Sequence, residues 1–252
     1  MKIVQYYEFA VKKIYYGILE NDKIYKINGD IFNEFEKTDE YVTFDRIKIL
    51  PVTLPSKIVC VGLNYKDHAD EVKMKPTEEP IIFLKPSSSI VGQNDYIVLP
   101  NQSKRVDYEA ELAVIIKEEC KNIHLNEAKS FILGYTCAND ITARDLQKKD
   151  GQWTRAKSFD TFCPIGPYIE TDIDPTNLTI KLFHNKELKQ ESNTQNMIFG
   201  IYSLISFISS IMTLYPGDIV LTGTPPGVGP IKKGDELIVS IEGIGELKNF
   251  VK

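Results

Sequence analysis

Eight short apolar runs recur between residues 57 and 243: KIVCVGLNY, IIFLKP, YIVLP, ELAVIIK, YTCAND, TIKLFHN, DIVLTGTP and DELIVSIEG. Each is rich in Ile, Val, Leu or aromatic residues, and Gly, Pro, Asn or charged residues stand between them. Runs of this length, bounded by turn residues, read as strands buried on one or both faces. Helical spacing is confined to the neighbourhoods of 126–132, 141–148 and 196–214. The pattern predicts a mostly β, α+β chain. At 252 residues and 42% apolar, it is long enough to bury a sizeable core. Residues 1–50 alternate aromatic and charged side chains around the turn-forming pairs Asn21-Asp22 and Asn28-Gly29. They read as short antiparallel strands. Pro51 and Pro55 then punctuate the chain, which suggests a small N-terminal β domain over 1–52 and a main domain over 53–252.

Charge and cysteine usage narrow the function classes. A net charge of −5 argues against a nucleic-acid partner, because phosphate binding needs a basic face. Cys60, Cys120, Cys137 and Cys163 form no CxxC pair and read as reduced core cysteines of a cytoplasmic protein. The start, MKIVQYYEFAVKK, has no long apolar stretch of the kind that opens a secretory signal. Residues 192–217 carry no charge, and a membrane helix needs about 20 mostly apolar residues. However, Ser203, Ser206, Ser210 and Thr213 make one polar stripe, opposite Ile201, Leu204, Ile205, Ile208 and Met212. That pattern predicts a helix packed on a sheet or at a subunit interface, with no membrane partner.

The stretch VDYEAEL is the chemical puzzle. Along a strand, Asp107, Glu109 and Glu111 share one face with Ala113 and Ile115. Neighbouring carboxylates repel and are costly to bury unless a positive group compensates them. A hard divalent cation would do so, and a solvated edge strand is the alternative. Asp140, in ANDITARD, sits where a strand pattern turns helical. It reads either as a third oxygen ligand or as a helix N-cap. In GLNYKDHADE, His68 and Glu71 are three residues apart and share a face if the segment is helical. They form either a carboxylate-held general base or an ordinary surface pair. The polar segment 64–79 between two strand patterns has the character of a lid.

Taken in order, GLNYKDHADE, IIFLKPSSSIVG, VDYEAELAVII, GYTCANDITARDLQ, QWTRAKSFDTFCPIGP and PGDIVLTGTPPGVG closely resemble the fumarylacetoacetate hydrolase family over roughly residues 57–230. The resemblance implies a mixed β-sandwich roll with a divalent metal at its mouth, Mg²⁺ or Mn²⁺, with Ca²⁺ left open. It places the metal ligands on Glu109, Glu111 and Asp140 and the catalytic dyad on His68 and Glu71. It places a site lysine on Lys157 and substrate contacts on Arg144, Gln147 and Thr224. Asp107 is not a ligand by this matching. Fumarylacetoacetate hydrolase itself has a further acidic ligand ahead of the histidine; Val61 and Gly62 stand there here, which leaves a three-carboxylate site like that of the family's shorter acylpyruvase and isomerase members. The family is usually dimeric, which implies a homodimer, and its substrates are small 2-oxo or 2,4-dioxo acids.

Those groups allow three outcomes. With His68 and Glu71 activating water, a 2,4-dioxo acid of the acylpyruvate or fumarylpyruvate type would be cleaved by C–C hydrolysis. This is the leading expectation. The alternatives are isomerisation or decarboxylation of a 2-hydroxyhepta-2,4-diene-1,7-dioate and decarboxylation of oxaloacetate. Outside catalysis, a β-rich binding protein with a structural Ca²⁺ would also use the acidic row. TGTPPGVG lacks the GK[ST] of a phosphate-binding P-loop and reads as a turn presenting Thr224.

Overall fold

The computed structural model of the protein describes residues 1–71 and 77–252, with the side chains of 68–70 left aside. Four antiparallel strands open the chain: β1 (Lys2–Glu8), β2 (Lys13–Glu20), β3 (Lys23–Gly29) and β4 (Phe35–Val42). Asn21 and Asp22, both at positive φ, make the two-residue turn between β2 and β3. Asn28-Gly29 instead ends β3 ahead of a longer loop. Next come β5 (Ile47–Ile49), β6 (Ile58–Gly62), helix α1 (Lys66–Glu71), β7 (Ile81–Lys85), β8 (Ile90–Val91) and β9 (Tyr96–Ile97). The middle of the chain holds β10 (Val106–Tyr108), β11 (Ala110–Ile116), β12 (Ile132–Asn139), β13 (Thr142–Ala143), α2 (Arg144–Asp150) and α3 (Thr154–Lys157). β14 (Cys163–Glu170), β15 (Thr179–His184), β16 (Glu187–Asn193) and α4 (Ile201–Ile211) follow, then β17 (Ile219–Leu221), β18 (Gly229–Pro230), β19 (Glu236–Ile241) and β20 (Gly245–Val251).

All eight apolar runs contain a strand. The largest sheet is mixed and runs β4-β3-β2-β1-β14-β12-β11-β17-β6-β7. A second sheet, β16-β15-β19-β20-β9, packs against it, and β13-β10-β18 forms a small third one at the mouth of the site. This is the mostly β, multi-sheet architecture expected. The four N-terminal strands join the main sheet through β1, which pairs with β14 at Lys2↔Glu170 and Ile3↔Ile169.

β11 explains why a continuous apolar run is needed here. It lies between β12 and β17, and every residue in it is buried. Leu112, Val114 and Ile116 face a core shared with α4 and the second sheet. Ala113 and Ile115 face a core formed with Ile58, Cys60, Ile165, Ile219 and Leu221. A strand covered on both faces cannot alternate polar and apolar residues. All four cysteines are buried and unpaired in these layers.

α4 forms as its spacing predicts. Ile201, Leu204, Ile205 and Ile208 are buried, each contributing about 1.5–3 kcal/mol relative to exposure. The serine stripe lies on the opposite side, where Ser203 and Ser210 return their hydroxyls to the carbonyls of Gly200 and Phe207. The helix is shorter than its pattern, because Met212 is already extended. Among the described residues, no helix is long and apolar enough to cross a membrane.

Candidate active site

The strand pattern of VDYEAEL is interrupted at Glu109. β10 belongs to the small sheet and β11 to the large one. At the junction two side-chain amides replace the ladder: Asn139 Oδ1 accepts the Glu109 N–H at 2.9 Å, and Gln190 Oε1 accepts the Ala110 N–H at 2.9 Å. The bend turns Glu109 and Glu111 toward Asp140, which lies just past the end of β12. The Asp140 N–H donates to the Glu109 carbonyl at 2.8 Å. One carboxylate oxygen from each of Glu109, Glu111 and Asp140 lies within 4.8 Å of the others.

Asp140 is no N-cap. β13 separates it from α2, whose N-cap position is Ala143. Its two oxygens instead accept buried ammonium groups, Lys85 Nζ at 2.6 Å and Lys157 Nζ at 2.6 Å. Lys157 also donates to Glu109 Oε2 at 2.8 Å. Arg144, the first residue of α2, donates to Glu109 Oε1, to Asp107 Oδ2 at 2.9 Å and to Gln147 Oε1 at 2.8 Å. Asp107 is fully buried and is also held by Arg105 at 2.9 and 3.2 Å. Thr142 Oγ1 completes the shell of Glu109 at 3.1 Å. Glu111 Oε2 accepts the Gly223 N–H at 2.7 Å, which ties the triad to the TGTPPGVG loop.

The electrostatics separate the two glutamates. Burial alone would raise both, but Lys157 and Arg144 beside Glu109 hold it down at about 2. Glu111 is pushed well above the usual carboxylate range, first by burial and then by Asp140 and Glu109. Lys157 and Arg144 are raised above their ordinary values, since the carboxylates around them outweigh the effect of burial.

This donor set suits a hard divalent cation. Three buried carboxylate oxygens converge, and the lysines and arginine present leave Glu111 poorly compensated. A dication among them would remove that penalty. The triad can therefore hold a divalent metal.

The triad lies in a cavity of about 560 Å³, which Arg144, Gln147, Lys157 and Thr224 also line. One wall is apolar, with Phe83 and Trp153 edge-to-face at 5.2 Å. Gly62 makes room for that wall, because a Cβ there would lie 2.6 Å from the Trp153 ring. Glu71, at the end of α1, accepts the Gly227 N–H at 3.2 and 3.3 Å, beside the loop that carries Thr224. The expectation for His68 falls on a side chain outside those described, and the segment 64–79 includes 72–76, which lie outside the described residues.

Sequence reasoning missed Lys85, Asn139 and Gln190. Each has its partner far along the chain, 55, 30 and 80 positions away, so no local pattern marks it. Asp107, left out of the ligands by the resemblance, is also outside the converging triad and instead anchors Arg144. With its buried contact to Arg144, Asp107→Asn is expected to leave Mn²⁺ affinity within about two-fold of wild type but to raise substrate KM roughly ten-fold, because Arg144 loses an anchor. Calorimetric Mn²⁺ titration and steady-state kinetics measure the two effects separately.

Two family models cover the chain: Rv2993c-like, N-terminal, over residues 1–51, and fumarylacetoacetate (FAA) hydrolase C-terminal over 57–252. An uncharacterized protein of Methanocaldococcus jannaschii is 65% identical over 198 residues, covering 79% of this chain and 84% of that protein. The rat protein named oxaloacetate tautomerase Fahd2a, mitochondrial, is 48% identical over 81% of this chain and 68% of its own length. A crystal structure described as 5-carboxymethyl-2-hydroxymuconate delta-isomerase from Mycobacterium smegmatis is 40% identical. It superposes with a TM-score of 0.93 over 100% of this chain and 99% of that one. On the match over 57–252 and these identities, the chain belongs to the fumarylacetoacetate hydrolase family.

Proposed function

We propose that the chain is a divalent-metal-dependent enzyme that moves a proton within small 2-oxo dicarboxylic acids, as a keto–enol tautomerase or double-bond isomerase. The observation that carries the reading is the convergence of Glu109, Glu111 and Asp140 at one cavity. Mg²⁺ or Mn²⁺ held there supplies Lewis acidity toward a 2-oxo group and its neighbouring carboxylate.

Charge balance supports a dianionic substrate. Asp107, Glu109 and Asp140 form ion pairs with Lys85, Arg105, Arg144 and Lys157, and Glu111, the fourth carboxylate of the cluster, has no ion pair among the described residues. The fully ionised set is neutral, so a dication leaves an excess of two positive charges for substrate to offset. Arg144 and Lys157 stabilise negative charge on the substrate, and the apolar wall of Phe83 and Trp153 keeps water from it. Proton transfer at carbon falls to the segment of His68 and Glu71, with Glu71 anchored at Gly227. The rat and mycobacterial relatives named as tautomerase and isomerase agree with this class of chemistry.

C–C hydrolysis of an acylpyruvate is the second reading. It is favoured by the placement of Glu71 beside the Thr224 loop, where a water activated by the dyad would enter.

The test is ultraviolet absorbance of oxaloacetate and acetylpyruvate with Mn²⁺-loaded protein. Metal-dependent enol–keto interconversion, abolished by chelator, is the expected result. Pyruvate and acetate released from acetylpyruvate would favour hydrolysis. A folded, Mn²⁺-loaded protein that accelerates neither reaction overturns the proposal.

A further inference from the structure

We infer that Gln190 is a positioning residue that fixes Thr224 as a hydrogen-bond donor toward the substrate; the inference rests on the functional reading above. Gln190 lies on β16 and is 1% exposed, on a strand whose neighbouring positions Lys189 and Glu191 face solvent. Its Oε1 accepts the N–H of Ala110, the residue between two of the metal-ligand candidates, at 2.9 Å. Its Nε2 donates to Thr224 Oγ1 at 2.9 Å and to the Pro225 carbonyl at 2.8 Å. The amide orientation follows from two backbone groups of fixed polarity, an N–H on one side and a carbonyl on the other. Only a primary amide offers an acceptor and two donors on one planar group.

The consequence lies in the Thr224 hydroxyl. A hydroxyl has one hydrogen to give and two lone pairs to receive. Gln190 occupies an acceptor lobe of Thr224 Oγ1, so the hydroxyl hydrogen is left to point into the cavity that Thr224 lines. That polarity suits a carboxylate.

The loop has little regular structure of its own to set this. It runs between β17 and β18 and leans on β16, where a Cβ at Gly227 would lie 2.2 Å from the Lys189 carbonyl. Two residues along the same face of β16, Ser192 donates to Asp67 of α1 at 2.8 Å. One strand face thus aligns the metal-ligand bend, the Thr224 loop and the α1 segment.

The test is a double-mutant cycle read by binding. Oxalate, a planar mimic of a 2-oxo acid enolate, is titrated calorimetrically into Mn²⁺-loaded wild type, Gln190→Met, Thr224→Val and the double variant. Each single change is expected to weaken oxalate about ten-fold, and the double variant to be no weaker than Thr224→Val. Gln190→Asn keeps a buried amide too short to span Ala110 and Thr224 together. It is expected to fold and to match Gln190→Met in oxalate binding. Additive losses in the cycle, or wild-type oxalate affinity in the folded Gln190 variants, overturn the inference. Failure of the functional reading shows separately, as a wild-type protein that binds oxalate yet turns over no 2-oxo acid.

Discussion

Glu111→Gln is expected to raise the stability of the metal-free protein and to lower that of the metal-loaded one. Glu111 is 2% exposed, and burial together with Asp140 and Glu109 makes its charged form costly. Glutamine has nearly the same shape and keeps an oxygen for the Gly223 N–H. Without metal, the change removes a like-charge conflict and stabilises by about 1 kcal/mol. With metal, it removes one of three charged ligands, and Mn²⁺ affinity falls on the order of 100-fold, or about 2.8 kcal/mol. Thermal unfolding with and without saturating Mn²⁺ reads both effects, and the order of the two proteins should reverse between conditions. A variant that binds Mn²⁺ as tightly as wild type removes Glu111 from the ligand set.

Lys85→Met is expected to cost about 3–5 kcal/mol of folding stability, the range for breaking one side of a buried ion pair. Lys85 is fully enclosed, and its ammonium lies between Asp140 Oδ1 at 2.6 Å and the Ile141 carbonyl at 3.2 Å. Methionine fills most of the volume but leaves Asp140 with Lys157 as its remaining cationic partner among the described residues. Urea unfolding measures the loss. Lys189→Met, on the exposed side of β16, serves as the comparison and should stay within about 0.5 kcal/mol of wild type. Added Mn²⁺ should restore part of the stability in Lys85→Met, because the cation takes over some of the compensation. A loss no larger than that of Lys189→Met would show that Lys85 carries no structural charge balance.

What could be read ahead of the structure follows from the range of each signal. Alternation within VDYEAEL is local, so it places Glu109 and Glu111 on one side and suggests a cation. Two-sided burial of ELAVIIK is likewise visible as an unbroken apolar run. Lys85 gives no comparable sign. It ends IIFLKP like any strand-terminal charge, and its partner lies 55 positions away. Gln190 is equally silent, in a strand whose exposed Glu187, Lys189 and Glu191 resemble a solvated surface. β14 defeats local reasoning in another way. CPIGPYIE has two prolines and a glycine, which argue against an interior strand, yet it lies between β1 and β12. The register with β12 shifts between Tyr135 and Cys137, so Pro167 falls in a gap where the ladder needs no N–H from it.

The seam between β1 and β14 sets a schedule for the ribosome. Residues 2 and 3 pair with 170 and 169, although β2 pairs with β1 within twenty residues of the start. At about 5–20 residues per second, the emerging hairpins would wait on the order of ten to thirty seconds for that neighbour. During the interval, Ile3, which ends in the central core, has no cover from Ile169. A nascent chain in that condition is a natural client for chaperones. Slow codons before residue 170 would lengthen its exposure, whereas changes after it would not.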